Sequence, residues 1–212
     1  MMKELIIIGN GNQARVIAST INKEEIKLIG YYAFENKKLQ KIKKKKIKIF
    51  KNFTELKKNH KKNTYLITGI GENNLREKIV KLFNKKIKNI KWYKVISTQA
   101  IVSKKVTIGK GTIIMPGSII NNDSKIGNHC IINTRSVIEH DNVFKNFSST
   151  GPGIITGGNV KIGNKSFLGM ASVIINNIKV GYNTIIGAKS LVIEDCKSNS
   201  IYYGSPAKKK IS

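Results

Sequence analysis

Thr107-Ile108-Gly109-Lys110-Gly111-Thr112-Ile113-Ile114-Met115-Pro116-Gly117-Ser118-Ile119-Ile120 carries the spacing that decides the fold. Large apolar residues stand at Ile108, Ile114 and Ile120, and the same step of six extends in both directions. It starts at Val102 and runs through Ile126, Ile132, Ile138, Phe144, Thr150, Thr156, Ile162, Leu168, Ile174, Val180 and Ile186 to Val192. Of these sixteen positions only Thr150 and Thr156 are not large and apolar, a regularity that neither a single helix nor an alternating strand produces. Glycine often follows the apolar step, as at Gly109, Gly127, Gly151, Gly157, Gly163, Gly169, Gly181 and Gly187. Four residues after most steps stands a small residue, such as Thr112, Ser118, Ser124, Cys130, Ser136, Ser148, Ser166, Ser172, Thr184 or Ser190. Each six-residue segment is then one face of a triangular coil. The apolar residue points inward, the small one fits near a corner, and glycine is expected to supply turn dihedrals. Stacked coils bury a core that one coil cannot, and the stretch is long enough for about five.

The preceding half reads differently. Glu4-Leu5-Ile6-Ile7-Ile8 is a short buried strand that meets Gly9-Asn10-Gly11-Asn12-Gln13-Ala14 and then a helix through Val16, Ile17 and Ile21. Further strands are expected at 26–32, 64–69 and 92–96. A helix after Gly71 is expected to put Leu75, Ile79, Leu82 and Phe83 on one face. Strands alternating with helices predict a small parallel α/β sheet. The expected domains are 1–97 and 98–212.

The net charge of +27 comes from 39 basic against 12 acidic residues, and only Arg15, Arg76 and Arg135 are arginine. A surface selected to grip nucleic acid is expected to use more of arginine's bidentate fork. The run Lys41-Ile42-Lys43-Lys44-Lys45-Lys46-Ile47-Lys48 reads as a solvated surface, with attraction of phosphate-bearing substrates as the functional alternative. Cys130 and Cys196 lack metal-ligand or disulfide-framework spacing and read as reduced thiols. The first apolar run is too short for a signal peptide or a membrane span, so a cytoplasmic protein is expected.

Three histidines are present. His60, in a lysine-rich stretch, is expected to be exposed, and His129 is expected at a coil corner facing solvent. His140 differs because Glu139 and Asp141 flank it. A carboxylate bonded to one ring nitrogen fixes the tautomer and makes the other nitrogen a better base. On chemistry alone His140 is equally a catalytic base or a surface histidine. The turn Gly9-Asn10-Gly11-Asn12-Gln13-Ala14, between a strand and a helix, suits a diphosphate at a helix N-terminus. Taken alone it suits NAD, with Glu35 near the ribose, or a purely structural turn.

The whole chain resembles the left-handed β-helix sugar acetyltransferases of the sialic-acid O-acetyltransferase and bacillosamine N-acetyltransferase type. The resemblance rests on Gly9-Asn10-Gly11-Asn12-Gln13-Ala14-Arg15-Val16, Gly69-Ile70-Gly71-Glu72-Asn73-Asn74-Leu75-Arg76, Ser136-Val137-Ile138-Glu139-His140-Asp141, Pro152-Gly153 and Tyr203-Gly204-Ser205-Pro206-Ala207-Lys208. It implies a Rossmann-like α/β domain followed by a left-handed parallel β-helix, and transfer of acetyl from acetyl-CoA to an amino group of a nucleotide-activated sugar. It further implies His140 as general base and Asp141 as its orienting partner. Substrate contacts fall at Gly9, Gly11, Asn12, Gln13, Gly71 and Asn133, although Asn133 also fits an asparagine ladder within the coils. Acetyl-CoA contacts fall at Ser149, Met170, Ala188 and Pro206. Lys208, Lys209 and Lys210 either meet the CoA phosphates or form a frayed tail. A homotrimer without a metal is implied.

The chain departs from that pattern at Gln13 and Ser149, where members often carry histidine, and at Ala33-Phe34-Glu35-Asn36, where an acidic cluster is usual. The first and third departures leave the nucleotide base and the exact sugar open, and Gln13 and Ser149 support a non-catalytic sugar-nucleotide scaffold as the alternative; sugar O-acetylation is the other alternative that the resemblance leaves open. A metal-dependent carbonic anhydrase needs three histidines around its ion, and only His129 and His140 fall within the β-helix.

Overall fold

The computed structural model describes residues 2–34 and 47–210; Glu35 and Asn36, and residues 41–46 of the lysine run, lie outside the described residues. The chain forms two compact units, Met1–Val95 and Ile96–Ser212.

In the first unit, β1 (Lys3–Ile8), β2 (Ile26–Tyr32), β3 (Lys48–Phe50) and β4 (Thr64–Thr68) make a parallel sheet in the order β3-β2-β1-β4. Helices α1 (Asn12–Thr20), α2 (Phe53–Asn59) and α3 (Asn73–Lys86) follow β1, β3 and β4. β1 pairs on both edges, and Leu5, Ile6, Ile7 and Ile8 are fully buried, which is why a continuous apolar run rather than an alternating one encodes it. Because β2 and β4 flank β1 on opposite sides, the carboxyl ends of β1 and β4 form a topological switch point, the usual place for a ligand in such a sheet.

β3 and α2 were not anticipated, because the lysine-rich segment masks their pattern. Their signal is a capping box: Asn52 Oδ1 accepts the Glu55 N–H at 2.9 Å and Glu55 Oε2 accepts the Lys51 N–H at 2.8 Å. The expected face of α3 is also corrected. Leu75 is 47% exposed, while Arg76 is fully buried beside Ile79, Val80 and Phe83. The register turns toward Arg76 because its guanidinium donates to the carbonyls of Ile70 and Gly71 and to Asn73 Oδ1. Val16 is likewise exposed on α1, which buries Ala14 and Ile17. The last expected strand shrinks to a single bridge from Trp92 to Leu66 and the two residues Val95–Ile96.

The second unit is a parallel β-helix. Its two-residue strands pair with partners 18 positions away, as Lys125 does with Thr107 and Val143, and Val137 with Ile119 and Ile155. One of its three ladders has six strands, from Ile101–Val102 to Leu191–Val192, and therefore spans five turns. In nearly every strand the second residue points inward, and Ile114, Ile120, Ile132, Ile138, Leu168, Ile174 and Ile186 are fully buried. Burying each such side chain contributes about 1.5–3 kcal/mol. Thr150 and Thr156 take the same inward positions. The small residues line the inner corners, where their hydroxyls donate to a carbonyl 15 residues on. Examples are Thr112 to Gly127 O at 2.7 Å and Ser118 to Asn133 O at 2.9 Å.

The expected role of the step-following glycines is corrected. Left-handed dihedrals fall instead on every sixth residue from Gly111 to Lys189, with φ between 50° and 70°, and only Gly111, Gly117 and Gly153 among them are glycine. The step-following glycines serve close approach: a Cβ on Gly169 would lie 2.6 Å from Ala188 N and 2.7 Å from Ile186 O. The tail is not frayed. Lys208–Lys209 pairs antiparallel with Tyr202–Tyr203, and Lys210 N–H donates to Ile201 O.

Candidate active site

His140 stands on the corner between the strands Val137–Ile138 and Val143–Phe144. Its Nδ1 lies 2.8 Å from Asp141 Oδ2, and the two side chains are 61% and 59% exposed. Asp141 occupies a left-handed corner position with φ 58°, a conformation that short carboxamide and carboxylate residues accept readily. The bend turns the carboxylate back onto the ring. A proton on Nδ1, shared with Asp141, would leave the lone pair on Nε2. Of the two flanking carboxylates only Asp141 serves the ring, because Glu139 Oε2 accepts from Asn121 Nδ2 at 2.9 Å.

One coil further on, Gly158 seats the ring. A Cβ there would lie 2.5 Å from His140 Cε1 and 2.6 Å from Nε2, so any side chain displaces the imidazole. Sequence reasoning missed Gly158, although its offset of 18 residues from His140, one full coil, was a usable signal.

The other histidines depart from expectation. His129 is only 3% exposed and stacks on Phe147, with ring centroids 5.2 Å apart and planes within 6°. The ring one coil above covers it, so it does not face solvent. His60 is half-buried at the end of α2 and not exposed; burial, then the Lys91 ammonium, pushes its imidazole below the ordinary value. Among the described residues no cluster of three or more potential metal ligands occurs.

Asn133 lies seven residues before His140 and is half-buried. Its Oδ1 accepts the Thr134 N–H at 2.8 Å, and its own N–H donates to Thr150 Oγ1 at 2.8 Å. The asparagine ladder runs elsewhere, through Asn128 and Asn146, whose Oδ1 atoms accept from the N–H groups 18 residues earlier. Met170 and Ala188 stand on a different corner, with Pro116, Thr134 and Pro152, which carries no asparagine. Both residues are exposed, and neither N–H donates to a protein acceptor among the described residues. The corner therefore offers two outward N–H groups one coil apart. Ser149 is buried on a strand, and Pro206 is exposed in the turn before Lys208–Lys209.

In the first unit, Gly9 and Gly69 meet at the switch point. Gly9 has φ +108°, and a Cβ on it would lie 3.2 Å from Gly69 O. Gly11 caps α1 without a side-chain bond, which leaves the helix N-terminus open. Asn12 Oδ1 accepts from Arg15 at 2.8 Å, whereas the buried Nε2 of Gln13 has no partner among the described residues. Gly71 is exposed and open, its carbonyl held by Arg76 at 2.7 Å.

A hexapeptide-repeat β-helix that presents an oriented imidazole, joined to a small parallel α/β unit with an open glycine turn, defines a hexapeptide-type acetyltransferase. Residues 4–83 match the PglD N-terminal domain, and residues 105–140 match the bacterial transferase hexapeptide of six repeats. The structure of PerB from Caulobacter crescentus, in complex with CoA and GDP-perosamine, is 27% identical with a TM-score of 0.89, over 100% of this chain and 99% of that one. A histidine-to-alanine variant of GDP-perosamine N-acetyltransferase from the same organism, also with CoA and GDP-perosamine, is 26% identical with a TM-score of 0.89 over the same shares. The acetyltransferase domain of PglB from Neisseria gonorrhoeae, in complex with acetyl coenzyme A, shares the fold at 21% identity and a TM-score of 0.86, over 99% of this chain and 100% of that one. No curated protein matches the sequence at a significant level. Over its whole length the chain is similar to the GDP-perosamine N-acetyltransferases, and its second unit is a hexapeptide-repeat, left-handed β-helix.

Proposed function

We propose that this protein transfers the acetyl group of acetyl-CoA to the amino group of a nucleotide-activated amino sugar, with His140 as the general base. The observation that carries the reading is the exposed imidazole whose Nδ1 lies 2.8 Å from Asp141 Oδ2. In this mechanism Nε2 takes a proton from the sugar amine as its nitrogen attacks the thioester carbonyl. The C–S bond then breaks, and the CoA thiolate leaves and is protonated. Asp141 keeps the ring in the tautomer that makes Nε2 the acceptor and stabilises the imidazolium once formed.

The unpaired N–H groups of Met170 and Ala188 fit a pantetheine arm, whose amide carbonyls need donors along an extended line. Ser149 and Pro206 complete the proposed acetyl-CoA contacts, and Asn133 helps to place the acceptor. Gly9, Gly11, Asn12 and Gly71 receive the nucleotide-linked sugar at the open helix N-terminus. The unpartnered Nε2 of Gln13 is a donor for the same ligand.

A trimer is part of the proposal. The outward residues of one β-helix face, Ile101, Ile119, Val137, Ile155, Val173 and Leu191, are all apolar and in register. The next face presents Lys125, Lys161 and Lys179 instead. The apolar face suits a second and third copy, and the His140 corner borders it. No helix among the described residues is long and apolar enough to cross a membrane. Both co-substrates are made in the cytoplasm, which is where we place the protein.

The test is release of free thiol from acetyl-CoA with a panel of nucleotide-linked amino sugars headed by GDP-perosamine. Replacement of His140 by alanine is expected to lower kcat by about 10²–10⁴-fold. Unchanged turnover in that variant would refute the assignment.

A further inference from the structure

The inner corner column of the β-helix has one residue out of keeping with the rest. Where most coils carry Ser, Thr, Cys or an aliphatic residue, the coil of His140 carries Asn142, which is fully buried. A hydroxyl in this column donates one bond to the next coil, as Ser124 does to Glu139 O and Ser166 to Gly181 O, and accepts one from it, as these two do from Asn142 N–H and Thr184 N–H. Asn142 Nδ2 makes the equivalent bond to Gly157 O at 2.8 Å. It also donates to Glu139 O at 2.8 Å and to His140 O at 3.1 Å. Those two carbonyls belong to the peptides on either side of the His140 Cα.

We propose that Asn142 and Gly158 are the positioning residues of the base: Asn142 locks the two peptide planes that aim His140, and Gly158 provides the bare surface on which its ring lies. This inference rests on the reading of His140 as the base. A serine at 142 keeps the coil-to-coil bond and loses both bonds into the corner. The corner then gains freedom in φ and ψ of His140, while the prism keeps its core. The Asp141 side chain, exposed and held among the described residues only by its contact with Nδ1, does not restrain the backbone in their place. Holding a reacting group in one geometry contributes to the rate itself, so the loss appears in kcat more than in KM.

The experiment compares Asn142→Ser, Gly158→Ala, His140→Ala and Ser166→Ala as full-length proteins. Ser166→Ala removes the coil-to-coil bonds to Gly181 O and from Thr184 N–H, away from His140, and reports the effect of stability alone. Activity is measured with acetyl-CoA and the amino-sugar nucleotide turned over fastest in the panel. Asn142→Ser and Gly158→Ala are expected to lower kcat tenfold or more with KM for acetyl-CoA within twofold, while Ser166→Ala stays within twofold in both. Imidazole ¹⁵N spectra, which need no sugar substrate, are expected to show one neutral tautomer of His140 in the unmodified protein, with the proton on Nδ1. A tautomer mixture is expected in Asn142→Ser and Gly158→Ala. Wild-type kcat and a single tautomer in both variants, with His140→Ala inactive, would overturn this inference alone. Full activity in His140→Ala would overturn the proposed function. If Asn142→Ser does not fold, Gly158→Ala decides by the same criteria, since φ at 158 lies outside the left-handed region.

Discussion

Replacing Gly169 by alanine tests why glycine recurs in the coils. The added Cβ would stand 2.6 Å from Ala188 N and Gly187 C and 2.7 Å from Ile186 O, where ordinary contact begins at 3.4 Å. The neighbouring coil must therefore retreat by roughly 0.8 Å, because backbone atoms on both sides cannot rotate away. The bond from Gly169 N–H to Ile186 O, now 2.8 Å, then stretches to the edge of hydrogen-bonding range, and the bond from Lys189 N–H to Met170 O, also 2.8 Å, is strained with it. Weakening two such bonds costs about 1–3 kcal/mol, and the overpacking adds about 1–3 kcal/mol. Gly153 is the internal comparison: its φ is +69° and nothing lies within 4 Å of a Cβ there. Gly153→Ala is expected to cost only the left-handed penalty of about 1–2 kcal/mol. Urea unfolding at matched protein concentration, followed by circular dichroism, reads the difference as a lower midpoint for Gly169→Ala. Equal midpoints for the two variants would refute the idea that coil spacing, rather than dihedral freedom, selects these glycines.

Four other outcomes are expected. Asp141→Asn keeps the left-handed corner, since asparagine accepts that φ, yet loses the charge opposite the imidazolium; kcat is expected to fall roughly tenfold or more with an unchanged unfolding midpoint. Ile155→Lys puts a charge on an exposed position of the apolar β-helix face and is expected to yield monomers in analytical ultracentrifugation. Burial and Lys91 hold the His60 imidazole below its ordinary value of 6.5, so the fold favours its neutral form. The corresponding stability is fully present above pH 6.5 and is lost as pH falls through the lowered value, and His60→Asn is expected to flatten that acid limb in pH-dependent urea titrations. Burial, with Asp195 second, raises the Cys196 thiol to about 11, so at pH 8 only about one molecule in a thousand carries the thiolate. Ellman's reagent is expected to leave Cys196 unlabelled in the native protein and to find two thiols after unfolding.

The β-helix was legible because its period is global: fourteen apolar positions at one spacing admit a single geometry. The contact between His140 Nδ1 and Asp141 Oδ2 was legible because the two residues are adjacent in sequence. Features that depend on the neighbouring coil were not read. His129 looked like a solvent-facing corner until Phe147, 18 residues on, proved to cover its ring. Gly158 under His140 and the spacing role of Gly169 have the same origin. In the α/β unit the misreadings came from local competition. Leu75 and Arg76 compete for the inside of α3, and the three polar bonds available to Arg76 outweigh the burial of one leucine. β3 and α2 were hidden by lysines, although Asn52 and Glu55 already spelled a helix start.

The exceptions to the repeat gather at the proposed site. In a solenoid each coil position is chosen by the coils above and below, so a residue that breaks its column must be retained for another reason. Three such breaks converge on one corner. His140 stands in a column that holds Asn122 one coil before it and Asn176 two coils on, Asn142 stands where the preceding coil has Ser124, and Gly158 leaves room for the ring. Another corner of the same prism, which holds Pro116, Thr134, Pro152, Met170 and Ala188, carries no asparagine, and there the N–H groups of Met170 and Ala188 have no acceptor among the described residues. A scaffold specified by period thus supplies rigidity cheaply, and the proposed acyl-transfer chemistry falls at a handful of positions where the period fails.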